Sequence, residues 1–304
     1  MAISRAQLVK ELEPGLNALF GLEYKQYENQ HAEIYTTESS DRAFEEEVML
    51  SGFANANVKV EGSGISYDEA QETYTARYTH DTIALAFSIT EEAIEDNLYD
   101  RLASRYTKAL ARSMSNAKQV KAVTPLIQGL PSTDNFDSGD AVSLFSTNHS
   151  TVSGTAVKNT LTTQADLNET SLEQGLIDIA GMTDERGIRV AARGMKMVIP
   201  SANQFNAERL MKSPGRTGTA DNDINAVASM GMVPQGYRVN NFLTDTDSWY
   251  IITDVPNGMK MFQRAALKTA MEGDFDTGNV RYKARERYSF GVSDYRGIFG
   301  VEGA

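Results

Sequence analysis

The chain has 304 residues, of which 41% are hydrophobic, and its 29 basic and 41 acidic residues give a formal net charge of −12. This length and composition suit a globular protein with a packed core, and they exclude wholesale disorder and collagen-like repeats. Because the sequence has no cysteine, it also excludes disulfides, thiolate metal sites and a cysteine nucleophile.

The distribution of apolar and charged residues predicts a soluble protein made in a cytoplasm. The longest uncharged stretches are shorter than the roughly 18 to 20 apolar residues that span a bilayer, and the N-terminus has no signal-peptide core. The acidic balance argues against tight binding to nucleic acid, because affinity for phosphates depends on clustered Lys and Arg. A protein that stays close to DNA without gripping it is compatible with this charge.

The N-terminal segment predicts a short amphipathic helix followed by an extended arm. Leucines recur at helical spacing between Ser4 and Phe20, and Gly21 is placed to end the helix. These leucines are Leu8, Leu12, Leu16 and Leu19. From Leu22 to about Phe53, aromatic residues are scattered among Glu and Gln without a sustained period, which indicates an arm lying along a surface.

Residues 54–89 predict a long β-hairpin. Val58 and Val60 lie on its first strand, and a Gly-Ser-Gly breaker at residues 62–64 precedes the return strand. One face of the return strand carries Tyr74, Ala76, Tyr78 and His80. Two isolated strands are marginal in water, so this hairpin needs a partner surface, either in its own domain or on a neighbouring subunit.

The clearest pattern is a helix of about 33 residues that begins at Glu91. Ser88 or Thr90 can cap it, the former with the capping-box spacing. Its apolar stripe consists of Ile94, Leu98, Leu102, Tyr106, Leu110, Met114 and Val120. Pro125 and Gly129 mark its expected end, which gives a length on the order of 50 Å.

The middle of the chain, from about 130 to 241, predicts alternating helices, strands and loops. The expected elements are a helix with Leu172, Leu176 and Ile179, a strand at Met195–Ile199, a helix capped by Ser201 that carries Phe205, Leu210 and Met211, and a mobile loop at Ser213–Asp223. The remaining chain predicts strands at Tyr237–Phe242, Trp249–Thr253, Lys260–Gln263 and Val280–Val292.

The common catalytic motifs are absent from the sequence, including the P-loop, the dinucleotide-binding glycine motif, the nucleophile elbow and H-E-x-x-H. His80 beside Asp81 would suit a hydrolase with Ser146 or Ser150 as nucleophile, but adjacent strand residues face opposite sides. Structural histidines are therefore favoured. The acidic groups at 45–47 and at Asp221 and Asp223 are interpreted as solvated surface, so no metal or cofactor is expected.

Four basic residues lie at alternating positions near the C-terminus and share one strand face: Arg281, Lys283, Arg285 and Arg287. In an acidic protein, pairing with a neighbour's carboxylates is the favoured use of such a face. Binding of nucleic acid is the alternative.

The order of these elements resembles that of the tailed-bacteriophage major capsid proteins with the Hong Kong 97-type fold, in particular the Mu-like major head subunits. Residues 144–149 (Leu-Phe-Ser-Thr-Asn-His) and the closing stretch 280–292 also resemble the family locally. The resemblance implies an α+β, Hong Kong 97-like capsid fold. Its parts would be an N-terminal arm at 1–53, an extended β-hairpin loop at 54–89, a peripheral domain with a long spine helix at 90–129 and 242–304, and an axial domain at 130–241.

The function that the resemblance implies is structural and not enzymatic. Identical copies would assemble as pentamers and hexamers into a shell that encloses double-stranded DNA without specific binding, with no cofactor and no membrane. Scaffolding, portal and decoration proteins are the further partners implied, and the location is the virion capsid, assembled in the cytoplasm of a bacterial host. Some family members begin with a long scaffolding region; here only the arm precedes the hairpin, so a separate scaffolding protein or an already mature chain is expected.

Eight residues are candidates for the assembly interface: Val58, Val60, Tyr74, Tyr78, Arg281, Lys283, Arg285 and Arg287. Two alternatives to a phage head stay open at this point. One is an encapsulin-type compartment that shares the fold and holds cargo enzymes. The other is an unrelated soluble hydrolase that uses His80 or His149.

Overall fold

The computed structural model of the chain describes residues 5–95, 99–133, 135–216, 223–274 and 278–304. The helix start expected at Ser4, the stripe residue Leu98, the acidic residue Asp221 and residues 217–222 of the loop expected at Ser213–Asp223 lie outside the described residues. The side chains of Leu8, Leu12, Ile94 and Leu102 also lie outside the description.

In the described part of the chain, helices alternate with short and long strands. The helices are α1 (Arg5–Gln26), α2 (Glu91–Glu95), α3 (Tyr99–Gln128), α4 (Glu169–Ala180), α5 (Gln204–Lys212) and α6 (Ala226–Met230). The strands are β1 (Thr36–Ser39), β2 (Phe44–Leu50), β3 (Glu72–Thr79), β4 (Asp81–Ile89), β5 (His149–Ser150), β6 (Ala156–Val157), β7 (Gly194–Ile199), β8 (Tyr237–Val239), β9 (Trp249–Thr253), β10 (Met259–Gly273), β11 (Val280–Val292) and β12 (Ile298–Val301). Short 3-10 turns cover Gln30–Glu33, Ser201–Asn203 and Tyr295–Gly297.

The first sheet has the strand order β1-β10-β11-β4, in which β1 is parallel to β10 and the other neighbours are antiparallel. Alternate residues of β11, among them Tyr282 and Ala284, pack under α1 and α3. Asn17 of α1 strengthens this contact, because its Oδ1 accepts hydrogen bonds from Tyr282 at 2.8 Å and Thr269 at 2.7 Å. Helices thus cover one face of the sheet.

The second sheet has the order β12-β9-β7-β8 and lies in the largest apolar core. Trp249 and Phe299 are fully buried there, over Gly175 of α4, where a Cβ would come within 3.3 Å of both rings. Because β7 pairs with β9 in this sheet, the sheet takes strands from both sides of the boundary expected at 241/242. The core continues to Tyr288 and Val292 of β11, so the two sheets share one interior.

A separate antiparallel pair, β2 and β3, replaces the hairpin that was expected at 54–89. That expectation is wrong in its strands: the first strand is β2, residues 51–71 contain no regular strand, and β4 belongs to the first sheet. Val58 and Val60 alternate in the sequence but have no facing strand to pair with, and an isolated alternation does not make a strand.

The region predicted as one helix from Glu91 contains α2 and α3. Of the two candidate caps, Thr90 is used: the amide of Ala93 donates to its Oγ1 at 3.4 Å, whereas Ser88 lies in β4. Of the two residues expected to end the helix, Gly129 is correct and Pro125 is wrong, because α3 continues through Pro125 to Gln128. Burial of Leu126 in the core compensates for the one backbone hydrogen bond that a proline removes.

The predicted stripe of α3 is correct at Leu110 and Met114, which are buried against α1 and β11. It is wrong at Tyr106 and Val120, which are 49% and 48% exposed. Positions spaced by four residues drift around a helix axis by about 40° at each step, so the stripe leaves the buried face. Residues at other spacings complete that face: Ala103, Thr107, Ala111, Lys118, Gln119, Ala122 and Val123.

The N-terminal expectation of a helix is correct, and the segment after it contains two strands that were not predicted. Helix α1 runs past Gly21 to Gln26, so Gly21 does not end it. The segment predicted as an extended arm contains β1, which pairs with β10, and β2. Both strands depend on partners far away in the sequence, which explains why the local pattern shows no period.

The later elements agree more closely with the predictions from the sequence. Strands β9 and β11 have the predicted bounds, and α4, β7, α5 and β8 lie where elements were expected. Strand β10 extends well beyond the predicted Lys260–Gln263, and Ser201 begins a 3-10 turn without a side-chain cap. Among the described residues, no helix is both long enough and apolar enough to cross a membrane.

Candidate assembly surfaces

Residues 51–71, here called the exposed loop, connect β2 to β3 and expose apolar side chains. The loop is closed at its base, where the amide of Ser51 donates to the carbonyl of Gln71 at 2.8 Å and the amide of Gln71 donates to Ser51 Oγ at 2.9 Å. Beyond this base, Val58 is 94% exposed and Tyr67 is 96% exposed. The other exposed apolar residues of the loop are Phe53, Val60 and Ile65.

These apolar side chains would gain free energy if the surface of another molecule buried them. Burial of a valine, isoleucine or tyrosine side chain is worth roughly 1.5–3 kcal/mol, and soluble monomers rarely leave several such side chains together in solvent. The sequence predicted Val58 and Val60 here but missed Phe53, Ile65 and Tyr67. No local pattern distinguished these residues, because Ile65 and Tyr67 alternate in the sequence as Val58 and Val60 do, although none of them lies in a strand.

The second surface is the open face of the first sheet. Arg281, Lys283 and Arg285 are exposed on β11, and Arg287 on the same face is half-buried, so the predicted shared face is confirmed. Small residues of β4 lie beside them, with Ala86 opposite Lys283 and Ala84 opposite Arg285. The face is therefore basic, with small alanine side chains on the neighbouring strand β4.

Only part of this basic charge is compensated within the described part of the chain. Arg281 forms an ion pair with Asp274 at 2.5 Å. Lys283 and Arg285 form no ion pair with a described residue, and Lys268 on β10 is paired in register with Arg285. The central part of the face consequently carries excess positive charge in an acidic protein.

Tyr74 and Tyr78, the other two candidate interface residues, face the interior of the chain. Tyr78 is 2% exposed, packs edge-on against Phe262 with ring centres 4.7 Å apart, and shares a 2.5 Å hydrogen bond with Ser293. Burial raises the pKa of its phenol. Tyr74 is half-buried beside Tyr295. Both rings attach β3 to its own subunit, so a neighbouring copy cannot reach Tyr78 in this conformation.

A buried lysine, Lys260, joins β2 to the first sheet. Lys260 of β10 contacts Glu47 of β2 at 2.5 Å and Glu38 of β1 at 3.2 Å. Burial alone would lower the pKa of Lys260, but the two carboxylates outweigh it and raise that pKa. Lys260 therefore stays charged and joins three strands next to the exposed loop.

The histidines do not assemble the hydrolase triad that was considered from the sequence. His80 is buried and contacts Ser40 at 2.8 Å and Ser289 at 2.9 Å, not Ser146 or Ser150. Ser40 and Ser289 were not foreseen, because they come close only when β1 and β11 join one sheet. A substrate has no visible access to this site, since all three side chains are buried.

His149 lies in a different polar network in the main core. Its Nδ1 is 2.6 Å from Asp140, its Nε2 is 3.1 Å from Asn159 Oδ1, and its ring stacks on Tyr295 at 3.8 Å. Burial alone would raise the pKa of Asp140, but hydrogen bonds from His149 and Ser138 hold it below its usual value. This network explains the presence of a histidine in residues 144–149: it fixes the chain after α3 against the Tyr295 turn.

The described residues contain no group of three or more His, Asp or Glu side chains that would hold a metal ion. Glu45 and Glu47 instead contact Ser40 and Lys260, while Glu46 lies near Arg77 at the surface. The interpretation of this group as solvated surface is therefore correct for Glu46, whereas Glu45 and Glu47 are half-buried contacts between β2 and the first sheet.

Comparison with known proteins adds two findings. A family model described as phage capsid protein matches residues 73–301. No curated protein matches the sequence.

Several solved structures have a similar fold. The capsid of an empty GTA particle is 13% identical over 90% of this chain and 89% of that chain, with a TM-score of 0.57. The procapsid of bacteriophage JBD30 is 13% identical over 99% of this chain and 77% of that chain, with a TM-score of 0.55. The virus-like particle from Pyrococcus furiosus is 10% identical over 94% of this chain and 98% of that chain, with a TM-score of 0.51.

Proposed function

Because this chain belongs to the phage capsid protein family, we propose that identical copies of it assemble as pentamers and hexamers into a closed shell that encloses double-stranded DNA. Its α+β fold is of the Hong Kong 97-like capsid type, as the order of its elements predicts. It is a structural, shell-forming capsid protein. The pentamers and hexamers, the enclosed DNA and the residue contacts are the parts that we propose.

The observation that carries the proposal is the exposed loop. Its apolar side chains have no partner strand or core within the described residues of the subunit. A chain that folds around a large core elsewhere gains nothing from such a loop unless another molecule covers it. In a shell of identical subunits, every loop meets an equivalent surface of a neighbour.

The basic face of the first sheet is the surface that we propose for this contact. The exposed loop contains three acidic residues, Glu61, Asp68 and Glu69, and one basic residue, Lys59. Lys283 and Arg285 supply the opposite charge. Charge pairing then sets the register, and burial of Val58, Val60 and their neighbours supplies the affinity.

We also propose the division of the subunit into an N-terminal arm, a loop, a peripheral part built on the first sheet and an axial part built on the second. Scaffolding, portal and decoration proteins are the partners proposed beside further copies of the chain. The proposed location is the virion capsid, after assembly in the cytoplasm of a bacterial host. The net charge of −12 supports a wall that surrounds DNA without holding it.

A shell around protein cargo is the second candidate. The similarity in fold to the virus-like particle from Pyrococcus furiosus extends over nearly the whole of both chains, and a common fold leaves the contents of the shell open. Nuclease-protected DNA inside purified particles supports the phage head. Particles that contain protein cargo and no protected DNA support the compartment.

Electron microscopy and light scattering of the purified chain, with and without its genomic neighbours, test shell formation. We expect rings, tubes or shells. A second sample replaces residues 54–69 by a short Gly-Ser turn, which keeps the hydrogen bonds between Ser51 and Gln71. This variant should fold, as seen by circular dichroism, and should no longer close shells; a chain that stays monomeric at every salt and protein concentration contradicts the proposal.

A further inference from the structure

Two chain segments connect the β2–β3 hairpin to the first sheet, and they meet at one point. Ser40 lies at the end of β1 on the way to β2, and His80 is the single residue between β3 and β4. Ser40 Oγ and His80 Nε2 are 2.8 Å apart. The backbone of Ser40 is in turn bonded to the sheet, since its amide donates to the carbonyl of Gln263 at 3.1 Å.

The hydrogen bonds around this point assign the protons of a neutral histidine. Ser40 donates its hydroxyl proton to Glu45 of β2 at 2.6 Å, so towards His80 its oxygen is an acceptor and Nε2 is the donor. Ser289 of β11 lies 2.9 Å from Nδ1 and donates to it. A continuous relay of four side chains therefore joins β11, the β3–β4 corner, the β1–β2 corner and β2.

The surroundings of His80 disfavour a positive charge. His80 is only 5% exposed. Burial lowers the pKa of His80, and Arg287 of β11 and Arg264 of β10 lower it further, against the opposing effect of Glu45 on β2 and Asp81 on β4. The Nε atoms of both arginines are buried without a hydrogen-bond partner among the described residues, so a third cation here would be poorly compensated.

We propose that His80 is an acid-sensitive latch that fixes the angle between the hairpin with its exposed loop and the first sheet. This inference rests on the proposed function, because the loop that the latch aims is the one proposed to dock on a neighbouring copy. A proton on Nδ1 forces Ser289 to stop donating and places a charge between the two corners. The two corners then loosen, and the direction of the loop is held only by the contacts of Tyr78 and Lys260 with the first sheet.

Other contacts limit the change to this hinge. Tyr78 stays packed on Phe262, and Lys260 stays bonded to Glu47. Neither of these two contacts includes His80. Acid should thus loosen the two corners without unfolding the hairpin.

Hydrogen exchange read by mass spectrometry tests the latch on the free subunit and on assembled particles. On acidification from about pH 7.5 through the pH at which the NMR signal of His80 titrates, we expect exchange in peptides containing Ser40 and His80 to rise about tenfold after correction for the intrinsic rate. His80→Gln, which keeps a donor and cannot titrate, should lose this response. His31→Gln, at a buried histidine on a different element, should retain it.

NMR of labelled histidine in the unmodified chain keeps the test valid even where a variant fails to fold. The chain has three histidines, and the His80 signal should titrate together with the rise in exchange. The latch is refuted when the corner peptides keep their protection while His80 titrates, or when His80→Gln responds to acid as the unmodified chain does. Failure to form particles would instead refute the proposed function, because the latch is still measured on the free subunit.

Discussion

Nζ of Lys118 on α3 lies 3.1 Å from Oε2 of Glu286 on β11, and this ion pair is buried between the helix and the first sheet. Oε1 of Glu286 has no hydrogen-bond partner among the described residues. Burial raises the pKa of Glu286, and Lys118 opposes that shift. The long helix is thus joined to the sheet by a buried ion pair. Each charge compensates the other for the loss of water.

Lys118→Met should destabilise the subunit by about 3–5 kcal/mol, because it leaves a buried carboxylate without a counter-charge. The double variant Lys118→Met with Glu286→Leu should recover most of this loss, since an apolar pair needs no compensation. Urea unfolding of the subunit measures both values. Lys121→Met is the control: its partner Asp81 is exposed, so less than about 1 kcal/mol should be lost.

A close backbone contact predicts a second sensitive position. A Cβ on Gly297 would overlap the Cα of Gly258, where neither backbone can move easily. Gly297→Ala should therefore cost at least about 2 kcal/mol through overpacking. Gly273→Ala, where a Cβ meets nothing within 4 Å, should leave the melting temperature nearly unchanged, and equal losses for the two variants would show that the glycine contact is unimportant.

The parts of the fold that could be predicted from the sequence are those specified by local pattern. The apolar run of β9 and the alternation in the first part of β11 predict these strands, and the absence of Gly and Pro predicts a long helix before Pro125. Strands β1, β2 and β12 were not predicted, because each depends on a partner strand that is distant in the sequence. Thr36 of β1, for example, lies opposite Lys260 of β10. Local periodicity carries no information on such a pairing.

In the candidate surfaces, too, features given by local pattern could be predicted and features that depend on distant residues could not. Alternation along one strand was enough to predict that Arg281 to Arg287 share a face, because side chains of a strand alternate in any sheet. The position of Tyr78 could not be predicted, since its burial depends on Phe262 and Ser293. Tyr67 was missed for the opposite reason: nothing within the described residues covers it.

Acid should weaken the subunit through His31. Burial lowers the pKa of His31 to about 4 from an ordinary value of 6.5, and the nearby Lys118 adds to this shift. The unfolded chain then binds a proton before the folded chain does, so stability is complete above about pH 6.5 and falls as the pH decreases towards 4. At pH 5 the loss from this group should be about 2 kcal/mol.

Urea unfolding of the unmodified chain and of His31→Gln at neutral pH and at about pH 5 isolates this contribution, because all other groups cancel in the difference. The variant should show a smaller drop. An identical drop in both proteins would assign the acid sensitivity to other residues.

Two tyrosines should separate stability from assembly. Tyr78→Ala removes a buried ring and its hydrogen bond to Ser293, which should cost about 3–5 kcal/mol. Tyr67→Ala removes an exposed ring and should change stability by less than about 0.5 kcal/mol, while it lowers the yield of particles. Thermal unfolding and sedimentation of the two variants give the two readouts, and normal particle yield from Tyr67→Ala would remove this ring from the interface.

Charge reversal tests the proposed contact between the exposed loop and the basic face. Lys283→Glu with Arg285→Glu should fold normally, because both side chains are exposed on the open face of the sheet, but its particles should form poorly as like charges meet across the contact. Glu61→Lys with Glu69→Lys in the loop should fail in the same way. When all four substitutions stand in one chain, the reversed residues of the loop and of the basic face again have opposite charges, so assembly should return. Particle yield by sedimentation at low and high salt measures this, since screening should relieve the defect of each double variant. Failure of the fourfold variant to recover, with its fold intact by circular dichroism, would place the loop on a different surface of the neighbouring copy.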